Sequence, residues 1–419
     1  MLLTIVNMQV YDNLRGQAMI HHLKFAAFPF LALIALHGMM QGGPWMYFGV
    51  AVLLVLVAIG DLVLPDDTSE PKLTAQWYFN FLLWLTLPIL VVVSLCFTWG
   101  VASTDVLGID PFMKQWFGYD RLELQANTTW YQWFAGAVAG AFLFGAGGIN
   151  VGHELTHRTY SPRDMILGRW MLAFSADASF AIEHVYGHHK NLGTPSDPAT
   201  AQRGDNVYLF VLKSWIGGYR SAWRLEKQRL AKFGISVWNP VKSRMMRGNL
   251  MTLSLYAAAF YIGGWAGLLM FWIMSAGGKV LLEIVNFMEH YGIVRRPEDK
   301  VEPRHSWNTN ASVSTALLFA LPRHSHHHAE ADQEYWNLRS YKHAPTLPTG
   351  YLGTILMALI PPVYEKFMTK QLNHWDEHFA TPEEKKLAAQ ASRKSGIKGL
   401  KSAGWPEHSD NRQSMQAAN

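Results

Sequence analysis

The feature that most restricts this chain is a series of long apolar blocks. Four of them, "LKFAAFPFLALIALHGMM", "PWMYFGVAVLLVLVAIGDLVL", "FNFLLWLTLPILVVVSLCFTWGVA" and "WYQWFAGAVAGAFLFGAGGI", each approach the ~20 residues that cross a bilayer as a helix. A further block from about 247 to 290 is too long for one crossing. Gly263 and Gly264 divide it, a turn being the least costly place for paired glycines in such a run. Six spans are expected, near 20–40, 44–64, 77–101, 129–150, 247–263 and 265–290. Half of the 419 residues are hydrophobic and only 16% are charged, against roughly 25% in soluble proteins. The expected fold class is an all-α integral membrane protein.

No fixed-period repeat and no flexible linker breaks the chain, so residues 1–380 read as one membrane-embedded domain and 381–419 as a polar, mobile tail. Met1 to Gln17 has polar interruptions, so an anchor rather than a cleaved signal peptide is expected. "GYRSAWRLEKQRLAKFG" is basic and amphipathic and suits the membrane surface. "LGTILMALIPP", after Tyr351, is too short to span and is expected to dip into the interface.

With six spans, one membrane face receives residues 41–43, the loop 102–129 and the turn at 263–264, where Lys114 and Arg121 are the only basic residues. Apart from Lys279, inside a span, the other Lys and Arg residues fall on the opposite face, chiefly in 151–246 and beyond 291. Positive residues stay cytoplasmic, which puts both termini and both large polar segments there. The net charge of +5 is then accounted for by topology and lipid headgroups, with no nucleic-acid partner required. The single cysteine, Cys96, rules out disulfides and a four-cysteine iron centre within this chain. Electrons, if needed, must come from another protein.

Eighteen histidines are present. His21, His22, His37, His374, His378 and His408 are scattered and suit ordinary surface or interface positions. The others gather on the basic face. "GHELTHR" matches the HExxH signature of zinc proteases, with His153 and His157 as ligands and Glu154 as base. Helical residues four apart share a face, so His153 and His157 can hold one metal, and His184 with His188 of "EHVYGHH" can do the same. Lys279, Glu283, Asn286 and His290 form a polar stripe on the sixth span, and polar groups at that depth face a bundle interior or cavity. "RHSHHH" adds a third group at 323–328. The sets HxxxH, HxxxHH and HxxHH, with His290, supply nine imidazoles, which exceed the needs of one zinc and suit two metal ions with open positions.

In these boxes the chain resembles the membrane-bound non-haem di-iron alkane hydroxylases, xylene monooxygenases and fatty acid desaturases. "HELTHR", "EHVYGHH" with "TPSDPATA", "NFMEHYG", "HSWNTN" and "LPRHSHHHAE" occur in the order of the alkane hydroxylases, whereas "HWDEHFATPEEKKLA" is more like the xylene branch. The resemblance implies His153, His157, His184, His188, His189, His290, His324, His327 and His328 as ligands of two iron ions, with O2 as co-substrate. His326 stands where an aspartate is common, and is expected beside the ligands rather than among them. Glu154, Glu183 and Glu289 are each adjacent to an implied ligand and are candidates to orient imidazoles through the second ring nitrogen. Asp177, Asp197, Glu330 and Asp332 are further candidates beside ordinary roles as caps or ion-pair partners.

The implied reaction is hydroxylation of an apolar hydrocarbon, at a terminal alkane carbon or an aromatic methyl group, to a primary alcohol. Desaturation within the same superfamily and zinc proteolysis are the alternatives. The implied setting is a bacterial-type inner membrane with a cytoplasmic site. Its partners would be a rubredoxin- or ferredoxin-type donor with a reductase. Substrate would arrive from the lipid along a channel for which Trp45, Tyr47, Trp84, Trp133, Phe142 and Phe144 are candidate walls.

Overall fold

The computed structural model describes residues 19–71, 73–341 and 343–400. Among these residues the regular structure is all helical, with one isolated bridge, Asn308 to Thr346, and no strand. Five helices are long and apolar enough to cross a membrane: α1 (Met19–Gln41), α2 (Gly43–Val63), α3 (Gln76–Gly100), α4 (Trp130–His157) and a 47-residue helix, Arg244–His290.

That longest helix is not straight. Gly264 has φ 59° and ψ −151°, a region essentially reserved for glycine. The rings of Tyr256 and Phe271 stand 5.1 Å apart, where an unbroken helix would separate those positions by about 22 Å. The chain therefore doubles back on itself at the glycine pair. Five helices meet the length criterion where six spans were expected, and the break at Gly264 falls inside the longest of them.

Helix α4 is the hub. Within its most apolar window 72% is buried, against 44% or less in the others. Small residues let the neighbours close on it, as in membrane bundles generally. A Cβ on Gly147 would lie 2.0 Å from the Phe28 ring of α1. Gly152 approaches Gly168 of α5 (Pro162–Phe174) so closely that a Cβ on either would be under 3 Å from the other's carbonyl oxygen. α4 also runs on to His157 rather than stopping near 150, carrying the first histidine pair on the same helix.

Beyond the spans, α6 (Val207–Ala231) crosses the histidine-bearing end, exposing Tyr208, Leu209, Leu212 and Ile216. With the hairpin Arg244–His290 counted as α7, the later helices include α8 (His324–Ala329), α9 (Tyr351–Ala358), α10 (Pro361–His378) and α11 (Pro382–Ser395). The tail expected to be mobile from 381 begins instead as an ordered helix. Thr381 and Glu384 form a capping box on α11, and Glu384 is fully buried against His305 (2.8 Å) and Arg304 (3.1 Å). A polar, Lys-rich composition hid this because few residues of the helix are buried, Glu384 with Ala388, Ala389 and Ser392. Residues 401–419 lie outside the described residues.

Candidate metal centre

Helix α4 delivers His153 and His157 on one face, their Nε2 atoms 3.1 Å apart. The next box departs from α-helical geometry. Residues His184–His188 form a π-helical turn, in which neighbours along a face are five residues apart, a feature common at functional sites. His184 accordingly pairs with His189, at 2.9 Å between Nε2 atoms. The expected pairing of His184 with His188 does not occur. His188 points elsewhere, its Nδ1 2.8 Å from Asp197 Oδ2. In α8, His324 and His328 share a face at 2.9 Å, and His327 turns away from them to lie 3.0 Å from His153 and 3.2 Å from His189.

Two groups result. One consists of His153, His157, His184, His189 and His327. The other joins two triads through His290: His188, His290 and His328, and Glu289, His290 and His324, with His324 Nε2 3.3 Å from that of His290 and 3.2 Å from Glu289 Oε2. The groups adjoin, with the rings of His189 and His328 4.4 Å apart.

The donor set fits metal ions. With metal–nitrogen bonds of about 2.0–2.1 Å, ligand nitrogens at right angles stand about 2.9–3.0 Å apart and at tetrahedral angles about 3.3–3.4 Å. The observed Nε2 separations, 2.9 to 3.3 Å, fall in that interval. Hydrogen bonding alone cannot satisfy so many converging nitrogens, since each neutral imidazole carries one proton. His188 Nε2 is buried without a partner, as are the Nδ1 atoms of His290, His324 and His328.

Electrostatics agree. Burial, reinforced by the neighbouring imidazoles, holds His184, His189, His324, His327 and His328 well below the ordinary histidine range, so the rings are neutral and able to ligate. His188 is the exception. Burial lowers it, but the Asp197 carboxylate more than compensates, which is how a carboxylate raises the basicity of a ligating imidazole.

An apolar cavity of about 100 Å³ ends on these groups. Leu53, Val57, Ile149, Leu281 and Leu318 wall it, and His153, His184 and His324 stand at its floor. The π-helical segments Leu53–Ile59, Phe144–Ile149 and His184–His188 all contribute to its lining. Of the aromatic wall candidates, Phe142 lines the cavity; Trp45 is exposed, and Phe144 packs in the core against Phe174 and Phe271.

The sequence pattern of the fatty acid desaturase family matches residues 128–356. Alkane 1-monooxygenase 1 of Alcanivorax borkumensis is 34% identical over 360 residues, covering 83% of each chain. Alkane 1-monooxygenase of Pseudomonas putida is 33% identical over 334 residues, 78% of this chain and 77% of that one. The hydroxylase component XylM of the Pseudomonas putida xylene/toluene monooxygenase is 29% identical over 387 residues, 92% of this chain and 96% of its own. The chain belongs to the alkane 1-monooxygenase family.

This membership and the geometry dispose of the protease reading. Glu154 does not face the metal groups; it pairs with Arg158 at 2.9 Å and accepts the Tyr335 N–H at 3.3 Å. It is therefore no more an orienter of imidazoles than a base. Nor does Glu183 bond an imidazole: its Oε1 has no partner, and burial together with the Asp197 charge pushes its carboxyl up to about 8. It is Asp197 whose carboxylate reaches the Nδ1 of His188. Asp177 is tied to Lys279 at 2.6 Å, and Lys279 to Glu283 at 2.5 Å, so much of the polar stripe is a buried ion-pair network. His326 faces away from both groups, accepting the Arg339 N–H at 2.6 Å beside the Tyr341 ring, with Glu330 at 3.6 Å. Sequence reasoning missed Tyr351, whose hydroxyl donates to Glu289. No periodicity marks a lone tyrosine at the start of an apolar stretch.

Proposed function

We propose that this chain uses O2 to hydroxylate an apolar hydrocarbon, at a terminal alkane carbon or an aromatic methyl group, to a primary alcohol. Two non-haem irons would be held by His153, His157, His184, His189 and His327 on one side and His188, His290, His324 and His328 on the other. The observation that carries this reading is the apolar cavity that ends on both imidazole groups. Bound there, the irons would supply O2 activation, one oxygen atom entering a C–H bond and the other leaving as water with two electrons and two protons.

The chain supplies the rest. Leu53, Val57, Ile149 and Leu281 bind the hydrocarbon by burial and exclude water from the reacting carbon. Asn150, Asn286, Glu289, Ser314 and Tyr351 are the other polar side chains along the walls. An apolar substrate partitions into the bilayer and enters between spans.

The lone Cys96 supports a separate rubredoxin- or ferredoxin-type carrier with its reductase, docking on the histidine-bearing face. The hairpin at Gly264 supports six crossings, and the Lys/Arg distribution supports cytoplasmic termini and a cytoplasmic site in a bacterial-type inner membrane. The test is product analysis under 18O2. Membranes carrying the chain with a rubredoxin or ferredoxin system are offered alkanes, xylenes and fatty acids together. Primary alcohol with one labelled oxygen is expected. Unlabelled alkene from the fatty acid would make the protein a desaturase, and full activity with zinc in place of iron would overturn the metal assignment.

A further inference from the structure

Behind the second imidazole group lies a strap that the proposed chemistry has not used. It starts at Asp61, at the end of α2, whose Oδ1 accepts the N–H groups of Val313 and Ser314, each at 2.9 Å, and whose Oδ2 accepts the Ser314 hydroxyl. Ser314 Oγ in turn accepts the Tyr351 N–H at 3.2 Å. Gly350 makes the approach possible, since a Cβ there would stand 2.2 Å from Asp61 Oδ2. The strap ends at the Tyr351 hydroxyl, which donates to Glu289 Oε1. Tyr351 and Glu289 are 1% and 2% exposed, and both line the hydrocarbon cavity.

We infer that Tyr351 is a positioning residue for the reaction, holding Glu289 so that a single carboxylate oxygen, Oε2, faces His290 and His324. The inference rests on the two-iron reading above. An unrestrained glutamate can turn about its terminal torsion and offer both oxygens to a metal. Here the phenol engages Oε1, and Oε2 lies 3.2 Å from His324 Nε2. Glu289 then contributes one donor atom to the triad it forms with His290 and His324, which shares His290 with the triad of His188, His290 and His328. Since the pair forms part of the cavity wall, the carboxylate is held where the substrate carbon must come to rest.

The experiment compares wild type with Tyr351→Phe, which removes only the hydroxyl, after anaerobic loading with 57Fe. Tyr351→Phe should keep its iron and change the Mössbauer signal of one iron site while the other stays as in wild type. Its kcat should fall about 10- to 100-fold, the usual loss when a partner of a metal ligand is removed, with hydrocarbon KM unchanged. Glu289→Gln should alter the same signal, and the double variant should show no further change, because the two residues act through one contact. Ser314→Ala, which loosens the strap and leaves the phenol intact, should move the same signal in the same direction and serves if Tyr351→Phe does not fold. A wild-type spectrum in Tyr351→Phe or, failing that variant, in Ser314→Ala would overturn the inference, as would additive effects in the double variant. A wild-type protein that takes up no iron would instead overturn the functional reading on which it stands.

Discussion

His184 and His189 bring their Nε2 atoms within 2.9 Å of each other across a π-helical turn, and His188, between them in sequence, serves the other imidazole group. One extra residue in a helical turn thus lets a single segment supply both proposed metal positions. The consequence is separable. His184→Ala and His188→Ala should each retain about half of the wild-type iron, since each damages one group and spares most of the other. Metal analysis of the purified variants checks this; complete loss in both would mean that the groups do not bind independently.

His326 is as buried as its neighbours but its ring is turned toward Arg339 and Tyr341. An asparagine can accept the same Arg339 N–H, so His326→Asn should keep full iron content and activity within about twofold of wild type, whereas replacing a buried, partnered group without such a substitute would cost more. His327→Ala, one residue away, should lose iron and activity. Equal iron loss in the two variants would contradict the register of α8.

The docking of α11 should depend on pH. Burial alone would raise the Glu384 carboxyl, but hydrogen bonds from His305, the Thr381 N–H and Arg304 outweigh it and hold it down at about 2. His305 Nδ1 accepts the Glu302 N–H at 2.9 Å, so its Nε2 carries the proton given to Glu384. Because the folded value lies below the ordinary 4.5, the stabilisation is fully present above that pH and is lost as pH falls through about 2. Glu384→Gln should therefore cost about 2 kcal/mol at neutral pH, with the difference from wild type shrinking in acid. Limited proteolysis of the C-terminal helix reads this directly, and a pH-independent difference would refute it.

Lys279 is flanked by two buried carboxylates, Asp177 and Glu283. Lys279→Met would leave both without their cation and should destabilise the protein by about 3–5 kcal/mol, whereas replacing all three by neutral residues should recover most of that loss. Thermal unfolding in detergent distinguishes the cases. A Lys279→Met protein as stable as wild type would show that the network contributes nothing.

From the sequence alone, the helical membrane class, the nine histidines and the break at Gly264 were all legible, because apolar run length, residue type and paired glycines are local properties. Which histidine joins which group was not. Periodicity reports the face of one helix, and it suggested His184 with His188, but a π turn is set by how α4, the turn and α8 must fit around common centres. The carboxylates show the same division: adjacency favoured Glu154, Glu183 and Glu289, and the fold turned Glu154 toward Arg158, left Glu289 beside His324 and brought Asp197, a further candidate, to His188. Tyr351 reaches Glu289 across 62 residues, through a strap that exists only once Asp61 of α2 has met Ser314. Composition and spacing determined what this chain must bury and which donors it carries. The pairing of those donors came from helices packed together, where side chains distant in sequence compete for the same few ångströms.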